Sequence, residues 1–296
     1  MPWLWVVFTV AASAGQAVRN AMQKELTATL GTVGATHVRF LFGLPFALLF
    51  LAIVLTATGL PIPDLNAVMV AWTVTGAITQ IGATALLLAV MQERSFVVTT
   101  AYVKTEPVQV AIFGLIFLGD HISLGLGLAI LIATAGVLIV SWPRSNSAEI
   151  FFSRAAALGL ASGALFAIAA IGYRGGIRAL ETPSFVMAAT TTLVLGLVIQ
   201  TVMLTTYLVL VDRPVLGAII RAWKPSLFAG FMGAFASQLW YLAFALETAA
   251  KVRTLALVEI LFAQVISRNL FKQSLASREA AGIGLIIVGV VLLLNL

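Results

Sequence analysis

The chain has 296 residues, of which 61% are apolar and 9% are charged, and its mean hydropathy is +1.09. In soluble proteins roughly a quarter of the residues are charged. The composition therefore excludes a soluble protein and indicates an integral membrane protein. The absence of cysteine and the two isolated histidines exclude disulfides, thiolate catalysis and a clustered metal site. The net charge of +6 comes without a basic run of more than two residues, which suits anionic lipid headgroups and does not indicate a nucleic-acid partner.

Ten apolar segments of roughly helix length follow one another along the chain. A helix of about 20 apolar residues spans the hydrocarbon core and satisfies its own backbone hydrogen bonds, so each segment predicts one transmembrane helix. The segments cover residues 3–22, 33–57, 68–91, 96–118, 122–142, 155–173, 184–211, 226–246, 252–271 and 277–295. The sequence therefore predicts an all-α integral membrane protein with ten transmembrane helices and no folded domain outside the membrane.

The two halves of the sequence repeat one another at a shift of about 153 residues. At this shift Glu106 aligns with Glu259, and at a shift about two residues longer Arg19 aligns with Arg174. A chain that carries an acidic residue at equivalent depths in both halves should have a central polar site between them. A carrier is therefore the first function to test.

The repeat also predicts the domain organisation. We predict a first five-helix repeat over residues 1–143, a short linker over 144–153 and a second repeat over 154–296. Because five is an odd number of crossings, the second copy must cross the membrane in the opposite sense, which gives an inverted pair. Two similar, oppositely oriented halves can exchange conformations and so open a fixed site alternately to each side.

Ionisable residues inside the apolar segments mark candidate functional positions. A charged side chain at mid-bilayer costs about 2.5 to 3.5 kcal/mol on insertion scales, so those present usually face a bundle interior or water. Lys104 and Glu106 are only two residues apart, which points them to different sides of a helix. Each therefore needs a partner from elsewhere. Arg39, Arg19 and Glu259 are the candidates.

Two roles are open for these charges. They could form structural ion pairs or extend their charged ends to the membrane surface. Alternatively, Lys104 or Arg39 holds an anionic group of a substrate while Glu106 or Glu259 takes up a proton, because a buried carboxyl group can titrate near neutral pH. Proton movement would then be coupled to transport.

Further polar and aromatic side chains are candidates for a cavity wall. With Lys104 and Arg39, the predicted substrate-binding residues are Gln80, Tyr102, Gln238, Trp240 and Tyr241. Pro107 has no amide hydrogen and its ring clashes with the preceding helical turn. We therefore predict a kink in the fourth helix beside the charged residues, and a different bend in the second half, where no proline follows the glutamate.

The stretch AYVKTEPV, with Glu106 and Pro107, and the later LGDHIS, with Gly119 and Asp120, resemble the EamA repeat of the drug/metabolite transporter superfamily. That repeat closes on a glycine and a glutamate, and this chain has aspartate in place of the glutamate. Arg39 matches an arginine that is common early in the second helix of the family. The resemblance covers nearly the whole chain, with one repeat in each half.

The second half departs from the family pattern. Val258, Glu259 and Ile260 stand where the first half has Thr-Glu-Pro, and Lys272 and Gln273 replace the glycine and acidic pair. Residue roles carry over less well to this half.

The resemblance implies a multi-pass protein of the cytoplasmic (inner) membrane that exports or exchanges small metabolites, such as amino acids, through a central cavity. It implies a small-molecule substrate and the lipid bilayer as partners, no cofactor, and no need for a second subunit, since ten helices can enclose a pathway as a monomer. The sequence has no motif of a membrane enzyme, but an enzyme and a passive channel remain as alternatives. Basic residues favour external termini, whereas the resemblance favours cytoplasmic ones, so orientation stays open.

Overall fold

A computed structural model describes residues 3–93, 102–141, 154–260 and 277–296, and these ranges are almost entirely helical, with no strand among them. In chain order the helices are α1 (Leu4–Leu41), α2 (Leu44–Thr58), α3 (Ala67–Glu93), α4 (Glu106–Phe113, continued as a π-helical turn over Gly114–Leu118), α5 (Leu124–Ser141), α6 (Arg154–Arg178), α7 (Phe185–Val211), α8 (Arg213–Arg221), α9 (Trp223–Leu246), α10 (Ala249–Leu255) and α11 (Ser277–Leu294).

Several of these helices have the length and composition of membrane spans. Five stretches are long and apolar enough to cross a membrane: Leu4–Thr58, Ala67–Gln92, Arg154–Arg178, Phe185–Val211 and Trp223–Leu246. Two shorter apolar helices cover Glu106–Leu118 and Leu124–Val140. The protein is therefore an all-α, multi-pass membrane protein, as the composition predicted.

The first predicted span and the beginning of the second lie on α1, and the chain reverses within it. α1 would be about 57 Å long if straight, nearly twice the hydrocarbon thickness of about 30 Å. Gly31 has φ 67° and ψ 177°, a conformation that favours glycine because it has no Cβ. The Gln23 amide donates to the Ala35 carbonyl at 3.0 Å, although these residues would lie about 18 Å apart in a straight helix. The first span thus extends beyond its predicted end at residue 22.

The fourth span is interrupted beside its charged residues. Lys104 and Thr105 form a turn, and α4 begins at Glu106 with Pro107 in its first turn, where a proline needs no hydrogen-bond partner. The interruption lies at the Lys104–Thr105 turn, immediately before Pro107 and beside the charged residues.

The second half has an irregularity at the matching place. A 3₁₀ turn over Ala256–Val258 leads directly into Glu259, and at the repeat shift of about 153 residues it aligns with residues 103–105. Both halves thus break a helix immediately before the repeated glutamate, although only the first half has a proline there. Broken helices of this kind are tolerated at membrane depth where they are buried in protein or line a cavity.

The helix packing follows the repeat. The most extensive contacts join α3 to α6, α1 to α9 and α5 to α11. In the repeat, α1 corresponds to α6, α3 to α9 and α5 to α11. Exchanging the two halves therefore converts the first contact into the second and leaves the third unchanged, which is the pattern expected from a two-fold relation between the halves.

Glycines allow the closest of these contacts. A Cβ atom built on Gly282 would lie 2.7 Å from the Gly136 carbonyl oxygen, and one on Gly172 would lie 2.8 Å from the Gly76 amide nitrogen. Such distances leave no room for a side chain. Close van der Waals packing is a main source of helix association in lipid, so these glycines fix the α5–α11 and α3–α6 pairs.

One helix was absent from the sequence prediction. α7 ends at Val211, where the predicted span 184–211 ends, but α8 (Arg213–Arg221) follows at once, with Pro214 in its first turn. It is amphipathic, with Ile219 fully buried and Arg221 exposed. A short amphipathic helix between two spans suits the membrane interface.

Candidate functional site

Two ion pairs join the halves of the protein beside the broken helices. Lys104 Nζ donates to Glu259 Oε2, and Arg253 Nε lies 3.1 Å from Glu106 Oε1. None of the four side chains is more than 9% exposed. The first half supplies Lys104 and Glu106 and the second supplies Arg253 and Glu259, so each half contributes one cation and one carboxylate. A buried charge without a partner is strongly destabilising. Each charge of one half therefore needs its partner from the other half, and the two pairs favour the contact between the halves.

Arg253 is held by aromatic rings as well as by Glu106. Its guanidinium carbon lies 4.4 Å from the ring centroid of Trp240 and 5.4 Å from that of Phe244, distances at which a cation is attracted to the ring faces. The Arg253 Nε–H is not directed at the Glu106 oxygen as in a hydrogen bond, so charge attraction and stacking hold the guanidinium. Trp240 Nε1 in turn donates to Gln16 Oε1 at 3.1 Å.

The four charges line a small cavity between the halves. Its polar wall consists of Gln16, Arg19, Asn20, Lys104, Glu106, Arg253 and Glu259. A second cavity shares Gln16, Phe166 and Arg253 with the first and adds Arg39, Gln80, Tyr173, Ser237, Trp240, Tyr241 and Phe244. Their free volumes are about 20 Å³ and 10 Å³, space for about one water molecule each. The helices are thus closed around the charges and leave no room there for anything much larger than water.

Arg39 is satisfied by hydroxyl groups. Its Nη1 donates to Thr84 Oγ1 at 3.1 Å and its Nη2 donates to Ser237 Oγ at 3.5 Å, which ties α1 to α3 and α9. The described residues give Arg39 no carboxylate partner, so its positive charge is not neutralised.

Gln80 is the centre of a buried hydrogen-bond network. Tyr173 Oη donates to Gln80 Oε1 at 2.9 Å, and Gln200 Nε2 donates to the same oxygen at 2.8 Å. The Tyr173 and Tyr241 rings lie 4.6 Å apart between centroids. The network fixes the wall of the second cavity, because buried polar groups are held by their hydrogen bonds.

Arg19 is the least satisfied cation in the cavities. It is 1% exposed, and its Nη2 donates to Asn20 Oδ1 at 2.7 Å. Its Nε and Nη1 have no hydrogen-bond partner among the described residues. Within the same ranges, no group of three or more histidine, aspartate or glutamate side chains is placed to hold a metal ion.

Comparison with known proteins accounts for this architecture. The model of the EamA-like transporter family matches residues 3–142. Over its first half the chain is therefore similar to the EamA family of the drug/metabolite transporter superfamily. A solved crystal structure aligns with 97% of this chain and 95% of its own, with a TM-score of 0.69 at 12% identity, which extends the likeness in fold to the second half. No curated protein sequence matches the chain.

The structure brings most of the predicted site residues of the EamA repeats together. Lys104, Glu106 and Glu259 line the first cavity, and the second is lined by Arg39, Gln80, Trp240 and Tyr241. Glu259 is the partner of Lys104, as one of the sequence alternatives had it. The partner of Glu106 is Arg253, which was not among the candidates.

Two predicted wall residues lie elsewhere. The Gln238 amide donates to Thr190 Oγ1 at 2.8 Å, so it joins α9 to α7 and does not face the cavities. Tyr102 packs against α6, where a Cβ atom on Gly159 would lie 2.6 Å from the Tyr102 Cβ. Neither side chain is among the cavity-lining residues of this conformation.

Arg253 and Gln16 were not among the predicted site residues. Arg253 lies on α10 and is 7% exposed. Its six-residue distance from Glu259 within an apolar stretch was the available signal. Gln16 precedes Arg19 by three residues, a spacing that places both on one face of a helix.

The closing Gly-Asp pair of the first EamA repeat forms a second charged cluster. Gly119 ends the α4 span with φ 66°, and Asp120 Oδ1 lies 3.6 Å from Arg174 Nη2 and 3.7 Å from Arg178 Nη1. Arg174 and Arg178 are on α6, so the pair ties the end of the fourth span to the second half. This cluster shares no residue with the two cavities.

Proposed function

We propose that this protein is a secondary active transporter that moves small metabolites across the cytoplasmic membrane by alternating access. One observation carries the proposal: the halves meet at two buried ion pairs to which each half contributes one cation and one carboxylate, Lys104 with Glu259 and Arg253 with Glu106. Ions so deeply buried are stable only while the pairs are intact or replaced by other partners. A substrate or a proton that replaces one partner would therefore release the halves.

The closed cavities support a site that opens during a cycle. Their combined free space holds no more than a few water molecules, and the broken helices beside Glu106 and Glu259 provide points at which the spans can move. We propose Arg39, Gln80, Trp240 and Tyr241 as substrate-contacting residues, with Lys104 exposed to substrate when its pair with Glu259 opens. The transport that we propose is the export or exchange of a polar or amphipathic metabolite.

Counterflow in proteoliposomes tests the carrier directly. Vesicles loaded with an unlabelled metabolite should accumulate the same labelled metabolite from outside, because a carrier exchanges one bound molecule for another. Conductance or leak of the label without stimulation by the internal pool would indicate a channel. Conversion of the label to a product would indicate an enzyme.

Proton coupling is a separate part of the proposal. Glu106→Gln and Glu259→Gln remove the two carboxyl groups that could carry a proton, so each should weaken the stimulation of transport by a pH gradient more than it weakens exchange at equal pH. A doubly substituted protein with wild-type gradient-driven uptake would contradict proton coupling and leave the carrier function intact.

A further inference from the structure

The two cavities carry more positive than negative charge. Four cations and two carboxylates line them: Arg19, Arg39, Lys104 and Arg253, against Glu106 and Glu259. The surplus is two positive charges among the described residues.

The surplus is not shared equally among the cations. Lys104 and Arg253 face carboxylates, and Arg39 donates to two hydroxyl groups. Arg19 donates a hydrogen bond only to the Asn20 side chain, and its charge is attracted to that of Glu259 in the same cavity. Two of its three guanidinium nitrogens have no hydrogen-bond partner among the described residues. A fully buried guanidinium in this state is costly and has hydrogen-bond donors ready for an oxyanion.

We propose that Arg19 binds the carboxylate of the transported substrate, and that the substrate is a small organic anion with one or two negative charges. The inference rests on the transport function proposed above. It differs from the sequence-based hypothesis, in which Lys104 or Arg39 held the anion, because Lys104 and Arg39 already have partners in the closed state. A neutral or cationic substrate would leave the surplus uncompensated inside the membrane, where charges interact strongly.

A panel of matched compounds tests the substrate class without any variant. Counterflow is measured in proteoliposomes with carboxylates, among them phenylacetate and succinate, with their neutral amides phenylacetamide and succinamide, and with zwitterionic amino acids of similar size. We expect carboxylates to support counterflow at least about tenfold better than their amides, since a charge-assisted hydrogen bond accounts for a factor of this order. Preference for amides or zwitterions would overturn the inference while confirming a carrier.

Substitution of Arg19 tests the residue. Arg19→Gln should reduce the affinity for the carboxylates by roughly tenfold or more and change that for the amides by less than about twofold, so that the ratio between them collapses. Arg19→Lys keeps the charge and should retain part of the preference. Arg221→Gln removes an exposed positive charge on α8 and should leave the ratio unchanged.

The outcomes separate the two proposals. No counterflow with any compound would contradict the transport function, and the inference would fail with it. Counterflow with an unchanged ratio of carboxylate to amide in Arg19→Gln would overturn the role of Arg19. An equal loss of both substrates would assign Arg19 to the structure of the site and also overturn it.

Discussion

Arg19 on α1 and Arg174 on α6 occupy equivalent positions in the two repeats, but their guanidinium groups make different contacts. Arg174 Nη1 donates to the carbonyl oxygen of Phe244 at 2.8 Å and also to that of Glu247, and Nη2 lies 3.6 Å from Asp120 Oδ1. Arg19 donates to one neighbouring side chain, and two of its nitrogens have no partner among the described residues. Arg174 therefore holds its helix to neighbouring parts of the structure, whereas Arg19 keeps hydrogen-bond donors that a ligand could use.

The sequence explains part of this difference. Asp120, which pairs with Arg174, belongs to the Gly-acidic pair that closes the first repeat. The second repeat has Lys272 and Gln273 at that place, so it offers no carboxylate to Arg19 by the same route. Loss of one acidic residue from one copy of a repeat thus changes an arginine from a structural anchor into a candidate ligand for an anion.

The largest effect is expected at the ion pairs that the halves share. Glu259→Gln removes the carboxylate that Lys104 contacts and leaves a buried ammonium group unpaired, which should lower stability by about 3 to 5 kcal/mol. Glu106→Gln should cost less, because Arg253 keeps its contacts with Trp240 and Phe244 and cation–π contacts contribute roughly 0.5 to 2 kcal/mol. Thermal unfolding of the purified variants in detergent measures both.

A double variant separates charge from shape in that experiment. Lys104→Met with Glu259→Leu removes both charges, and apolar replacement of a buried pair is often neutral or stabilising. The double variant should therefore regain most of the stability that Glu259→Gln loses, while transport stays low. If the double variant were as unstable as the single one, the loss of stability would come from the changed shape and packing of the side chains and not from an unpaired charge.

The two equivalent arginines should respond in opposite directions. Arg174→Gln removes two hydrogen bonds to carbonyl oxygens and one ion pair, and we expect a loss of roughly 2 to 3 kcal/mol. Arg19→Gln removes a buried charge with few partners and should leave the ligand-free protein equally stable or more stable. The comparison fails if both variants unfold at the same lowered temperature.

The sequence predicted the membrane spans and the repeated glutamates, because both depend on local composition and on spacing along one chain. It could not assign Arg253 to Glu106, since the pairing depends on how α10 and α4 meet across the interface between halves. It predicted that Gln238 faces the cavity, but the rotation of α9 directs it to Thr190. The sequence placed the turn between the first two spans within residues 23–32, which contain Gly31, but it did not predict that the first span continues helically into this stretch.

The contact between α5 and α11, where equivalent helices of the two halves meet, offers a smaller test. Gly282→Ala would place a Cβ atom 2.7 Å from the Gly136 carbonyl oxygen, and overpacking of this kind costs about 1 to 3 kcal/mol. Gly284→Ala on the same helix is the matched control, because no atom lies within 4 Å of its Cβ position. Equal melting temperatures for both variants would mean that α5 and α11 separate easily, against the two-fold arrangement.

The smallest effect is expected from the exposed member of the Asp120 cluster. Arg178 lies 3.7 Å from Asp120 Oδ1, but its side chain is 53% exposed, whereas that of Arg174 is 10% exposed. Water and salt screen an exposed pair, which typically contributes between about 0 and 1 kcal/mol, so Arg178→Gln should shift the melting temperature little and less still in high salt. If Arg178→Gln destabilised the protein as much as Arg174→Gln, both arginines would hold Asp120 and the second half together to a similar degree. The buried hydrogen bonds of Arg174 would then no longer explain why the two halves differ.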